Sequence, residues 1–370
     1  MHAVVVGAGI VGLCTAWQLV KRGCTVTVVE AGTIPNPQAA SHDHHRLLRD
    51  FYPDEPGYTA RIGAALEAWD VLWDDLGTRH YVETGVLALS REKGDWTDSS
   101  RHTLDEVGFP YQELTPGELF TRYPFLDTDG VAYGLFRPRG GALMASRILT
   151  GLADWLRTHG AELRDNSPAT RLEPQSGNVI LAGRKAVYGD AVIVAAGVGT
   201  PALVPELSLR LEAQRGLVQY ADPPDDLKAA WAGAPCWVDL GGADDLWGIA
   251  PVAGLSLKLG CGRLGRPGDP ATERTATAAD ATALIDAYRG RFRRIEDYAV
   301  RETVANFYVS APNDRFANEP LGRTWVVSAD CCHGFKFGAL TGSDVADAVT
   351  GARSLAAVAR DMAGLAVKAA

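Results

Sequence analysis

The chain is poor in lysine, with seven in 370 residues, and its 36 Lys plus Arg fall short of its 45 Asp plus Glu, leaving a formal charge of -9. Nucleic acid and anionic membrane surfaces are held by an excess of Lys and Arg on one face, so neither is an expected partner. The six cysteines, Cys14, Cys24, Cys236, Cys261, Cys331 and Cys332, form no C-x-x-C pair and follow no regular spacing. That argues against a disulfide framework or a zinc site, and reduced thiols in a cytoplasmic protein are the expectation. No run approaches the roughly 18 apolar residues of a membrane span. The apolar amino-terminal stretch also lacks the basic leader and small-residue cleavage site of a signal peptide.

What is present is the balance of an ordinary folded protein, 46% hydrophobic and 22% charged. The length favours two domains over one. Ala3 to Val6 is an apolar run without polar alternation, as in a parallel strand buried on both faces, and Gly7, Gly9 and Gly12 follow at once. In a strand-to-helix turn, the first glycine permits the tight bend and the second lets a pyrophosphate approach. The third lets helix and strand pack closely. The unpaired N–H groups and dipole of the helix start then favour an anion, with Ile10 and Val11 beside the glycines as further candidate contacts. Leu13, Ala16, Leu19 and Val20 recur at helical spacing, Gly23 closes the helix, and Thr25 to Val29 reads as a second strand. Glu30 stands 18 residues after Gly12, where an acid meets ribose hydroxyls and repels the 2'-phosphate of NADP. On this unit alone, FAD and NAD stay open.

Farther along, Ile34 to Arg49 reads as a loop plus a short helix, Ala60 to Leu76 as a long amphipathic helix, and Gly85 to Leu89 as a strand. Ser146 to His159 reads as a helix with Ser146 as N-cap and Gly160 as C-cap. The strand Ala191 to Ala195 runs into Ala196-Gly197, small enough for the backbone to approach a ligand. Between Leu211 and Tyr308 the pattern changes to shorter strands with one charged helix, Ala278 to Arg289. Thr324 to Ser328 reads as a buried strand, Gly338 to Val349 as a helix, and the Ala-rich tail after Leu355 as a surface helix. The expected fold is α/β plus α+β. A Rossmann-type nucleotide domain (1–82, 145–212 and 318–370) accompanies a substrate domain on a mixed, largely antiparallel sheet (83–144 and 213–317).

Four separated motifs resemble the D-amino-acid oxidase superfamily of flavoproteins, in its branch of monomeric sarcosine oxidase and N-methyltryptophan oxidase. They are Gly7 to Glu30, the loop Ser41-His42-Asp43-His44-His45-Arg46-Leu47-Leu48-Arg49, the segment Ser256-Leu257-Lys258-Leu259-Gly260, and Cys332 to Phe337 with its H-G-F-K-F run. The resemblance implies FAD as cofactor, a carboxylate-bearing amino or imino acid as substrate, and hydride transfer from C–N to flavin. The resulting imine would be hydrolysed and dioxygen reduced to hydrogen peroxide. Arg49 and Lys336 match the pair that clamps the substrate carboxylate, a planar fork and a point charge; two surface cations would be the plain alternative. Lys258 matches the lysine that activates oxygen, where a fixed cation stabilises negative charge developing on dioxygen, against the alternative of a strand-edge lysine that blocks aggregation. Arg46 would cover a flavin face, His42 would lie near the pyrophosphate, and Ser41 would be a further cofactor contact. Gly334, Phe335 and Lys336 would contact the cofactor, and the helix starting near Gly338 would aim its positive end at the flavin, against the alternative of a plain core helix. No metal is expected, because His42, His44 and His45 on one loop rarely converge on one ion.

The sequence also departs from that branch. Its FAD is tethered through a cysteine in a T-C-x-Y segment, and alignment on Tyr308 puts Asn306 at the thiol, so non-covalent FAD is expected, with Cys331 or Cys332 as an unusual alternative link. Trp247 stands where the branch has Tyr and Gly262 where it has His, while Tyr308 is retained, which implies a substrate larger than sarcosine. A flavin dehydrogenase with another electron acceptor, a flavin-holding subunit of a larger oxidase, and an NAD-dependent dehydrogenase are the competing readings. A monomer or small homo-oligomer is expected.

Overall fold

Valine-rich segments free of polar residues build the first sheet. In the computed structural model, which describes residues 1–208, 210–312, 315–328 and 332–365, His2–Val6 is its central strand. The sheet order is Ala317–Leu321, Thr324–Ser328, Ala191–Val194, His2–Val6, Thr25–Val29, Glu162–Arg164. Every pairing is parallel except that of the edge strand Ala317–Leu321. Parallel strands need crossover helices on their faces. One face is accordingly covered by Ile10–Lys21, Gly334–Val349 and Ala145–Thr158, and Pro56–Leu76 packs behind them. The carbonyl end of the central strand therefore opens on a helix start, where ligands bind in open α/β sheets.

The second sheet has nine strands among the described residues. From Arg266–Pro267 it runs through Glu212–Asp222, Leu257–Cys261, Leu246–Ile249, Cys236–Asp239, Val86–Ser90 and Tyr133–Arg137 to Gln112–Leu114, with Ala299–Ser310 also paired to Glu212–Asp222. Its pairings are antiparallel except Cys236–Asp239 with Val86–Ser90. A core of Trp231, Trp237, Phe125, Phe292 and Tyr288 packs on this sheet beside the Ala278–Ala287 helix. Two small sheets complete the fold. One joins Arg46–Leu48, Gly141–Leu143 and Tyr81–Val82, and the other is the meander Ala169–Glu173, Asn178–Leu181, Ala186–Tyr188.

The expected α/β plus α+β architecture is what the chain adopts, with local corrections. The short helix expected within Ile34 to Arg49 is absent; turns there lead into the Arg46–Leu48 strand. Pro35 and Pro37 lack the N–H donors a helix would use. Ser146 is no N-cap: the helix starts at Ala145 after Met144, and Ser146 Oγ donates to the Asp43 carbonyl at 2.5 Å. The segment read as shorter strands contains the long pair Glu212–Asp222 and Ala299–Ser310, bent by a bulge at Tyr220/Ala221. The last large helix begins at Gly334 rather than Gly338, so the His333-to-Phe337 aromatic run is its cap and first turn.

Candidate active site

The glycine turn sits as its sequence implied. Gly7 adopts φ +103, and a Cβ there would meet the Ala195 carbonyl oxygen at 2.3 Å. A Cβ on Gly12 would stand 1.9 Å from the Gly7 carbonyl oxygen, so any side chain would push the helix off the turn. Gly12 therefore supports the turn from beneath, whereas Gly7, Gly9, Ile10, Val11, Glu30, Ser41, Ala196 and Gly197 line one open cleft. Gly9 offers no side-chain cap; Ser41 Oγ accepts from the Ile10 N–H at 2.9 Å and pins the loop to the helix start. His42 does not line this cleft; its N–H bonds the Ala39 carbonyl at 3.0 Å. Several lining residues were not singled out from the sequence, among them Asn36, Gln38, Arg274 and Phe307. They lie on loops and a strand that no nucleotide motif marks.

The cleft suits a dinucleotide. Glu30 is buried and accepts from the N–H of Ala8 at 2.7 Å, the N–H of Gly32 at 3.1 Å and Asn36 Nδ2 at 2.9 Å. A carboxylate has about four lone-pair sites, so capacity remains for a ribose hydroxyl. Ala196-Gly197 faces the same cleft with no bulky side chain. The helix start carries no acidic residue in its first turn to repel a pyrophosphate.

Beyond the cleft, the loop from Ser41 to Arg49 meets the large sheet. Lys258 lies on Leu257–Cys261, a strand buried throughout. Its Nζ donates to the Asp43 carboxylate at 2.5 Å and to the His45 carbonyl at 3.0 Å, with the Trp247 ring 5.5 Å and the Tyr220 ring 5.8 Å away. Asp43 also forms an ion pair with Arg46 at 2.9 Å and accepts from the His44 N–H at 2.7 Å and from the Tyr220 hydroxyl. Burial opposes ionisation of Asp43, but the charges of Arg46 and Lys258 and the hydrogen bonds from Lys258 and Tyr220 outweigh it and hold the carboxyl well below its ordinary range. Burial pulls Lys258 down to about 8, against the attraction of Asp43. His45 is lowered to about 4, chiefly by burial and then by the Lys258 charge, and is neutral at pH 7.

A third group gathers on Tyr52. The Arg49 guanidinium stacks between the Tyr52 ring at 4.7 Å and the Trp96 ring at 5.2 Å. Lys336 Nζ donates to the Tyr52 hydroxyl at 3.0 Å, and that hydroxyl is 3.2 Å from His333 Nδ1. His333 is held well below its ordinary pKa, first by burial and then by Lys336 and Arg49. Trp69 Nε1 donates to the Lys336 carbonyl at 2.8 Å and stacks on Phe335, which fixes the first turn from Gly334. Arg49 and Lys336 thus come from distant parts of the chain to one aromatic ring.

Tyr308 lines the nucleotide cleft. Trp247 packs over Gly260, where a Cβ would meet the indole at 2.3 Å. Gly262 is exposed in the turn after that strand, against Asp245, so the room expected from its missing imidazole opens to solvent. Asn306 Oδ1 accepts from the Phe307 N–H at 2.9 Å and its amide lies 3.5 Å from the Ala40 carbonyl. Cys332 is exposed with φ +67, while Cys331 lies outside the described residues. Among the described residues, no group of three His, Cys, Asp or Glu is placed to hold a metal, and no helix is long and apolar enough to cross a membrane.

With this geometry in hand, the decisive comparison is a match to the family described as FAD dependent oxidoreductase over residues 2–348. The chain belongs to that family. Its cofactor is FAD, which closes the choice left open by the glycine turn. Monomeric sarcosine oxidase of Bacillus sp. (strain NS-129) is 21% identical over 356 residues, covering 94% of this chain and 92% of that protein. Peroxisomal sarcosine oxidase of Mus musculus is 26% identical over 212 residues, 57% of this chain; the match spans only about half of the mouse protein, 54%. Among solved structures, L-proline dehydrogenase from P. horikoshii superposes with a TM-score of 0.82 at 19% identity, covering 95% of this chain and 94% of that one. NikD, described as an unusual amino acid oxidase essential for nikkomycin biosynthesis, gives 0.80 at 22% identity, covering 95% and 94%. These two likenesses bear on the fold.

Proposed function

We propose that this FAD-dependent oxidoreductase oxidises a secondary amine or an amino or imino acid that carries a carboxylate, with dioxygen as electron acceptor. The observation that carries the reading is the meeting of Arg49 and Lys336 on Tyr52. Two cations held on an aromatic floor form a receptor for one carboxylate, and a neutral amine would gain nothing from them. When bound in the cleft lined by Gly7, Gly9, Glu30 and Ser41, FAD would supply the two-electron chemistry: the carbon beside nitrogen would lose a hydride and the nitrogen a proton to leave an imine, and dioxygen would gain the same two electrons and two protons as hydrogen peroxide.

The protein's own groups orient and protect that exchange. Arg49 binds one carboxylate edge and Lys336 the other, which fixes the reacting carbon. Neutral His333 beside them has a lone pair or an N–H for the substrate, according to tautomer. The buried cation of Lys258 stabilises negative charge arising on dioxygen, because its field is weakly screened where water is excluded. Trp247 beside Lys258 supplies a large apolar wall, consistent with a substrate bulkier than sarcosine.

Asn306 cannot form a thioether, and FAD in this reading is held by the cleft alone. Trichloroacetic acid should release the yellow colour to the supernatant; a pellet that stays yellow would contradict it. The substrate class is tested by anaerobic bleaching of the flavin absorbance with a panel of amino and imino acids and their amides. Carboxylates should bleach it and amides should not. Equal bleaching by both would overturn the clamp, and faster turnover of sarcosine than of every larger candidate would overturn the size argument.

A further inference from the structure

We propose that Asp43 is a positioning residue for the reaction with dioxygen: its carboxylate holds the Lys258 ammonium in place and in its charged form, leaving the site one net positive charge. This rests on the reading of Lys258 as the cation that serves dioxygen.

Lys258 is completely buried, so its ammonium is stable only if acceptors replace water. Among the described residues it finds two, the Asp43 carboxylate and the His45 carbonyl. An ammonium has three N–H groups, and the third remains for a ligand. Asp43 in turn forms an ion pair with Arg46, which is itself partly buried at 20% side-chain exposure. Two cations share one anion, so the cluster carries a single positive charge. Without the carboxylate, two buried like charges would face each other, and the lysine is the one that can shed its proton. The groups facing Lys258 are few. From the loop come Asp43, His45 and Arg46, from the Glu212–Asp222 strand Tyr220, and from the Leu246–Ile249 strand Trp247. His45 is neutral and Tyr220 keeps its proton, since burial first and Asp43 next raise its pKa. Asp43 is thus the anion that opposes both burial and Arg46 in setting the Lys258 proton, whose pKa is about 8.

The carboxylate clamp belongs to the separate Tyr52 group, so the loss of the Asp43 charge falls on the half of the catalytic cycle that Lys258 serves. The test uses the FAD-loaded protein and follows reoxidation of the reduced form by dioxygen across pH 5.5 to 9.5. The wild type should hold its rate to about pH 8 and then decline as Lys258 loses its proton. In Asp43→Asn the decline should move below pH 7, making reoxidation at pH 8.5 at least tenfold slower, with rates within threefold at pH 5.5 and flavin reduction by substrate unchanged. The pH midpoint of the visible absorbance change of bound FAD should move with it, a readout independent of turnover. Lys258→Arg should abolish the decline. If Asp43→Asn does not retain FAD, Asp43→Ser removes the same charge and is held to the same shift. A midpoint unchanged from wild type, or a rate lowered equally at every pH, would overturn the role of Asp43. Wild-type reoxidation by Lys258→Met would instead overturn the reading of Lys258 itself.

Discussion

Arg49 and Lys336 are separated by most of the chain, yet they share one ring because Tyr52 follows Arg49 by three residues and the helix from Gly334 brings Lys336 against it. Burying two cations is costly, and burial depresses the Arg49 pKa despite the Tyr52 ring beneath it. In the proposed reading, a substrate carboxylate supplies an anion to both groups. Each charge-assisted hydrogen bond contributes about 1.5–3 kcal/mol, so Arg49→Met and Lys336→Met should each weaken substrate binding roughly 10- to 100-fold. The dissociation constant from anaerobic flavin reduction is the measure, with the limiting reduction rate changed less. Tyr52→Phe removes only the hydroxyl that accepts from Lys336 and should cost less than either. If Lys336→Met leaves that constant unchanged, the clamp is disproved.

At the scale of elements, the nucleotide domain depends on close contact between the Ile10–Lys21 and Gly334–Val349 helices. A Cβ on Gly342 would lie 2.5 Å from the Cys14 carbonyl oxygen, so backbone meets backbone with no flexible side chain to yield. Overpacking of that kind costs typically 1–3 kcal/mol or more. Gly342→Val should therefore lower the thermal midpoint and, by moving both helix starts, the FAD content of purified protein. An unchanged midpoint would mean that the helices can separate freely. This contact was not legible in the sequence, whereas the turn before it was: Gly7, Gly9, Gly12 and Glu30 are local, and the tight bend at Gly7 and the close packing at Gly12 follow from their spacing. Lys258, Arg49 and Lys336 were legible through motif resemblance, their partners less so. Tyr52 and Trp96 carry no motif, and Asp43 reads as one acid in a histidine-rich loop until the fold brings Lys258 and Tyr220 onto it. The missed length of Glu212–Asp222 and Ala299–Ser310 has a similar origin. Gly216 and Asn306 lower strand propensity locally, and pairing between the two strands, which no local window contains, overrides it.

Across the whole molecule, the Ser41-to-Arg49 loop ties the two large sheets together, because it is bonded to the helix start through Ser41 and to the large sheet through Asp43 and His45. His45 is the acid-sensitive point of that tie. Its side chain is buried, Nε2 lies 3.3 Å from the Ser256 carbonyl, and Nδ1 has no partner among the described residues. Its pKa falls from 6.5 to about 4 on folding, so the unfolded chain binds a proton more readily than the folded one. The sign follows from linkage: this contribution is complete above pH 6.5 and is lost as the pH falls through the interval down to about 4. At about 1.4 kcal/mol per pKa unit the full loss is on the order of 3 kcal/mol. Asp43, held below its ordinary range, adds to the loss with the same sign at still lower pH. His45→Gln keeps a polar group near the Ser256 carbonyl but cannot take up the proton. Its thermal midpoint should thus fall less than that of wild type between pH 7 and pH 4.5, whatever its midpoint at pH 7. Parallel curves for the two proteins would show that the acid sensitivity resides elsewhere. If they diverge as expected, FAD content measured over the same interval should follow the wild-type curve, since release of the loop frees the Ile10 N–H from Ser41 and opens the cleft where the dinucleotide is held.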